Sequence, residues 1–205
     1  MKIDSHQHFW YYHPVKDAWI SDDMKVIQQD FMPADLLPLL HKNDIDGCIA
    51  VQADQSEVET HFLLQLAEEN DFIKGVVGWV DFKSENIGER LHYFSQFEKL
   101  KGFRHIVQGE SEDDFLLRDD FCNGISQLEK YNFTYDLLIL PKHLKYAAEF
   151  VKCFPRQNFV IDHLAKPNFK ENDFSDWEKG ITELALHKNV YCKVSGMVTE
   201  ADWQH

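Results

Sequence analysis

The sequence predicts an α/β chain folded as a (β/α)8 barrel of which seven strands are present, and three observations predict it. Short apolar, β-branched runs alternate with longer amphipathic stretches, a rhythm that implies parallel strands joined by helical crossovers. The 205 residues contain no Pro/Gly/Ser-rich seam, low-complexity run or short repeat, so 1–205 reads as one domain. No GxGxxG follows the first strand, which removes the usual dinucleotide argument for the rival open, doubly wound sheet.

In chain order the expected strands are KIDSHQH (2–8), GCIAVQA (47–53), KGVVGWV (74–80), KGFRHIV (101–107), FTYDLLI (133–139), NFVIDHLA (158–165) and NVYCKVSG (189–196). The first helix, PADLLPLLHKN (33–43), carries Pro33 near its start, where a missing N–H does no harm. The second, SEVETHFLLQLAEEN (56–70), opens with Ser56 and Glu59 at capping-box spacing. Further helices are expected over 85–100, 119–131, 141–154 and 173–188.

Alternation along the strands sets their faces. In VYCKVSG, Val190, Cys192 and Val194 share one face, while Tyr191, Lys193 and Ser195 share the other. In CIAVQA, Ile49 and Val51 face one way, and Cys48, Ala50 and Gln52 the other. A bulky apolar face suits the helix layer, so small and polar groups are expected inside the barrel and at its C-terminal mouth. Such a barrel needs an eighth strand and about 250 residues. The sequence stops at VTEADWQH, and the expectation is a C-terminally truncated barrel lacking strand eight.

A net charge of −14, spread along the chain, repels phosphate backbones and argues against nucleic-acid binding. No apolar run approaches the roughly 20 residues that cross a bilayer, so no membrane is expected as a partner. The N-terminus does not read as a signal peptide. Four scattered cysteines without a CxxC pair suit free thiols in the cytoplasm. The partner expected is a small molecule, and a homo-oligomer is compatible with this composition.

His6 and His8 are the first candidates. Residues i and i+2 on a strand point the same way, and these two sit at the C-terminal end of strand one, where barrel active sites are built. With 11 histidines, chance alone gives roughly 0.6 HxH triplets per chain, so position rather than pattern carries the argument. His163, in VIDHLAKP, falls on the same rim. Three imidazoles plus a water form a usual open zinc site, and without a metal His163 suits a general base or water-positioning role. The bland alternative is a histidine bonded to a neighbouring carbonyl.

Arg104, near the end of strand four, needs a partner at the mouth: a substrate oxygen, or Asp136 of TYDLL as an internal ion pair. His105 points to the opposite face and is the weaker candidate. Lys193 suits polarising a carbonyl, with a structural salt bridge as the alternative. Gln52 and Asp136 are candidate substrate contacts on inward positions. Trp10 and Trp19, in and after FWYYH (9–13), are candidates on a substrate-covering loop. Asp4 lies deeper and suits a supporting role, and GESEDDF (109–115) reads as a solvated loop. GxSxG, P-loop and HExxH motifs are absent.

IDSHQHFW, WISDDM, GFRHIVQ, TYDLLI, IDHLAKP and NVYCKVSG, in this order, resemble the amidohydrolase-related sugar lactonases, a group that includes L-fuconolactonase-like, L-rhamnonolactonase-like and pyrone-dicarboxylate lactonases. The resemblance runs from residue 2 to the end. It implies a barrel of the metal-dependent hydrolase type that opens a cyclic ester of a sugar acid in carbohydrate catabolism. His6 and His8 match the family's strand-one HxH, His163 its strand-six histidine, and Arg104 a substrate-contacting strand-four arginine. The ligand set implied is His6, His8 and His163 around one divalent metal, zinc first, although some members work without one. Strand four offers no bridging lysine, which argues against a binuclear centre. The family's aspartate after strand eight, in a Ser-Asp-Trp-Pro-like segment, is absent here. Alternatives are a decarboxylase or amidase of the same superfamily, or an inactive fragment.

Overall fold

The computed structural model describes residues 1–170 and 173–201. Seven parallel strands alternate with helices: β1 (Ile3–Gln7), α1 (Pro33–Lys42), β2 (Gly47–Val51), α2 (Glu57–Glu69), β3 (Ile73–Gly78), α3 (Ile87–Phe94) and β4 (Leu100–His105). Then follow α4 (Asp119–Ile125), β5 (Thr134–Leu137), α5 (Leu144–Cys153), β6 (Phe159–Ile161), α6 (Ser175–Ala185), β7 (Val190–Cys192) and α7 (Met197–Glu200). Strand order is sequential, β1 to β7, each strand pairing in parallel with the next through a helical crossover.

The sheet is strongly curled. Seven flat strands would put β1 about 29 Å from β7, at about 4.8 Å per step. Instead Lys193 Nζ, just past β7, lies 3.2 Å from His6 Nδ1 in β1. The strands thus wrap around a shared lumen, with β1 and β7 as the two edges of an incompletely closed barrel.

Outside the strands, an aromatic core ties sheet to helices. Phe82, Phe94, Phe103, Phe121, Tyr135, Phe150 and Phe159 are all buried and meet mostly edge to face. Each such ring stabilises by about 1.5–3 kcal/mol through burial alone. Helix starts follow the expected chemistry. Pro33 takes the first turn of α1, and Ser56 Oγ accepts from the Glu59 N–H at 3.2 Å. The Glu59 carboxylate does not complete a capping box; it accepts from Ala53 N at 3.1 Å and so pins the loop beyond β2.

One expectation about faces is corrected. On β2, Cys48 and Ala50 belong to the core that includes Leu63 and Ala67 of α2, while Ile49 lines the lumen beside Val77, Val160 and Lys193. Close docking of α2 needs small side chains outside, and the wider lumen takes the bulky one. The 109–115 segment is exposed at 109 and 111–114, in line with a solvated loop, and is anchored by Glu110 on His105 and by the buried Phe115.

Candidate active site

Strand direction brings one set of side chains to the C-terminal rim. Asp4 Oδ1 accepts from the His6 backbone N–H at 3.0 Å, fixing the strand that carries the histidines. His6 Nε2 lies 3.1 Å from His8 Nε2, and His8 Nδ1 lies 2.8 Å from Val51 O. A carbonyl only accepts, so His8 carries its proton on Nδ1 and turns the Nε2 lone pair toward His6. The His6 and His163 rings are 4.3 Å apart.

Asp162 binds the cluster together. Its Oδ2 accepts from Arg104 Nη1 at 2.9 Å, while its Oδ1 lies 2.8 Å from Lys193 Nζ and 3.5 Å from His6 Nδ1. Lys193 also donates to Asp136 Oδ2 at 2.5 Å. Arg104 Nη2 donates to the Gln52 carbonyl, and Gln52 Nε2 returns a bond to Arg104 O at 3.2 Å. Two carboxylates and two cations therefore alternate in a buried, self-compensated network. Arg104 and Asp136 are register neighbours on β4 and β5, but they are not ion-paired: Asp136 takes Lys193, and Arg104 reaches two strands across to Asp162.

Electrostatics follow from burial and this pairing. Burial holds the His6 imidazolium below its usual range despite Asp162, and drives His8 well below it with help from Arg104. Burial and His6 bring His163 down to about 4. All three rings are neutral at pH 7. Burial and the neighbouring Asp162 push Asp136 up. Burial would raise Asp162 too, but His6, Lys193 and Arg104 outweigh it and hold it well below the carboxylate range. Lys193 stays charged because its two aspartates overcome its burial.

The backbone after β6 is unusual. His163, Leu164, Ala165 and Lys166 all have positive φ, between 51° and 56°, each costing about 1–2 kcal/mol for an L residue. Strand alternation sends Asp162 inward and would send the next residue outward; this left-handed turn returns His163 to the cluster. Ser195 Oγ lies 2.8 Å from His163 Nδ1. Gly196, at φ 73°, is needed there, because a Cβ would sit 2.7 Å from the His163 ring.

His6, Asp162 and His163 each offer a ligand atom within 4.8 Å of one another. Neutral imidazoles and an ionised carboxylate are a donor set that suits a zinc-like divalent ion, so these residues fit the group. His8 stands next to this trio through His6. Of the other expected positions, Gln52 and Asp136 join the network, and Arg104 and Lys193 form its cationic half. Trp10 closes the loop after β1 by pairing with Phe31, their rings 4.7 Å apart. Trp19 is 63% exposed and makes no hydrogen bond or ring contact with the cluster. His105 faces away, as expected, bonded to Glu110 at 2.6 Å and stacked on Phe115.

Sequence reasoning passed over Asp162. The signal was present: Phe159 and Ile161 enter the outer core, so alternation points Val160 and Asp162 into the lumen. The left-handed turn that recruits His163 left no comparable mark, since none of its four residues is glycine or asparagine.

The amidohydrolase family profile matches residues 3–205. The chain is 38% identical to an L-fucono-1,5-lactonase from Burkholderia multivorans, covering 100% of this chain and 71% of that protein. An L-fucono-1,5-lactonase from Burkholderia ambifaria is 34% identical over 98% of this chain and 69% of its own length. An amidohydrolase from B. multivorans crystallised with bound zinc superposes with a TM-score of 0.95 at 38% identity, covering 100% of this chain and 72% of that one. A seven-stranded barrel with this rim, matched along its length by these relatives, belongs to the amidohydrolase family of hydrolases.

Proposed function

We propose that the chain hydrolyses a neutral sugar-acid lactone, with L-fucono-1,5-lactone the first substrate to test. The observation that carries this reading is the convergence of His6 and His163 on Asp162, with His8 against His6, beside two buried cations at the barrel mouth. The 38% identity to an L-fucono-1,5-lactonase supports the choice of lactone.

In this reading water attacks the lactone carbonyl and His163 accepts its proton. Ser195 engages Nδ1 of that ring, leaving Nε2 as the basic atom. Arg104 Nη1 and Lys193 Nζ, 3.4 and 3.2 Å from His6, stay paired with their aspartates and favour charge growing on the carbonyl oxygen through their field rather than by direct contact. The ring C–O bond then breaks, and the proton passes from His163 to the departing hydroxyl. A divalent ion, if bound by His6, Asp162 and His163, would polarise the carbonyl and make water more acidic, and His163 Nε2 would then hold the ion instead of taking the proton. His8, held by Val51, orients His6. Trp10, Gln52 and Asp136 border the substrate, and Trp19 rides on the covering loop. Four free cysteines suit a reducing compartment such as the cytoplasm.

Charge compensation favours this over a decarboxylase. A carboxylate substrate needs an uncommitted cation, and both Arg104 and Lys193 are already paired with aspartates. The test is acid release from L-fucono-, L-rhamnono- and galactonolactone, alongside amide and carboxylated substrates, with and without chelator. Turnover of a neutral lactone is expected, and His163→Ala should lower kcat by about 10²–10⁴-fold. No turnover of any lactone, or unchanged kcat in His163→Ala, would overturn the reading.

A further inference from the structure

Trp177 is on α6, in the helix layer, and packs against the apolar core. Its indole nevertheless reaches the active-site turn: Nε1 donates to the Leu164 carbonyl at 2.6 Å. Leu164 sits at φ 56°, in the middle of the left-handed turn that begins with His163. The same turn is tied on the β7 side, where Leu164 N–H donates to Lys193 O at 3.2 Å and Ser195 meets His163 Nδ1. Internally it has the Lys166 N–H bond to His163 O at 2.9 Å.

These ties have a clear physical reason. A run of four L residues in the left-handed region persists only where surrounding contacts over-determine it. Turning the chain this way aims the Leu164 carbonyl outward at α6, and Trp177 Nε1 supplies the donor that this part-buried carbonyl needs. A phenylalanine could fill the Trp177 space and keep the ring contact with Phe174, but it has no N–H. Gly196 leaves the His163 ring no spare room on its own side, so the ring's place depends on the backbone behind it.

We propose that Trp177 is a positioning residue for the hydrolysis proposed above: it acts through Leu164 to hold His163 against His6 and Asp162, with Ser195 fixing the ring from β7. This assignment rests on the reading of the site as hydrolytic.

The experiment compares Trp177→Phe with the parent chain by steady-state kinetics on L-fucono-1,5-lactone, by thermal unfolding, and by 15N NMR of the histidine rings. The expected result is a kcat lowered by about tenfold or more with KM within about twofold, because small displacements of a reacting group are costly. The His163 ring resonances should shift or broaden while those of His105, held by Glu110, stay in place. An unchanged kcat, even with a lowered Tm, would overturn the proposal. So would a reduced kcat with His163 resonances unmoved. If Trp177→Phe does not fold, Ser195→Ala tests the same arrangement, with the same expected and contrary results. A parent chain without lactonase activity would sink the functional reading alone, since the ring resonances still report whether the indole holds the turn.

Discussion

Arg104 has little freedom to act as a simple substrate fork. One terminal nitrogen is committed to Asp162 and the other to the Gln52 carbonyl, while Nε is buried without a partner. Its main consequence is to keep Asp162 ionised inside the barrel. Arg104→Ala should therefore destabilise the fold by about 3–5 kcal/mol, the cost of stranding a buried carboxylate. Urea unfolding at pH 7 measures this; a loss under about 1 kcal/mol would mean that Lys193 alone compensates Asp162. The sequence showed His6, His8, Arg104 and Lys193 because each falls on an inward position near a strand end. It hid the pairing, since which aspartate meets which cation depends on barrel curvature. Register alone favours Arg104 with Asp136, and the curl brings Asp162 closer.

At the scale of elements, helix positions were legible and the face of β2 was not. Pro33 and Ser56 mark helix starts through local chemistry that tertiary structure does not alter. The face of β2 depends instead on what packs against it. Ala50 lies among core residues on the α2 side, fully buried, whereas Ile49 borders the lumen. Ala50→Leu should thus overpack the sheet–helix contact and destabilise by about 1–3 kcal/mol. If Ala50 pointed into the lumen, the larger side chain would fill open space and the urea midpoint would hold or rise. The same assay on Ser56→Ala should show a loss of about 1 kcal/mol from the missing N-cap.

For the whole molecule, the buried imidazoles make stability depend on pH in a defined direction. His6, His8, His105, His143 and His163 all have folded pKa values below the unfolded 6.5, burial being the largest cause in each. Between about pH 6.5 and 4 the unfolded chain binds more protons at these sites than the folded chain, so stability falls as pH falls. Asp162, depressed by its cations, adds a loss at still lower pH. Asp136 works the other way: its raised pKa means the folded state takes up a proton first on acidification. Glu59, raised by burial, acts in the same sense as Asp136, so two carboxyls stand against five imidazoles. Urea midpoints at pH 7.0, 5.5 and 4.5 should therefore decline stepwise. A midpoint that held or rose to pH 4.5 would mean that the rim histidines are protonated in the folded chain or that Asp136 and Glu59 outweigh them. Protonated rings could neither accept a proton from water nor ligate an ion, so that single titration bears on the fold and on its proposed chemistry together.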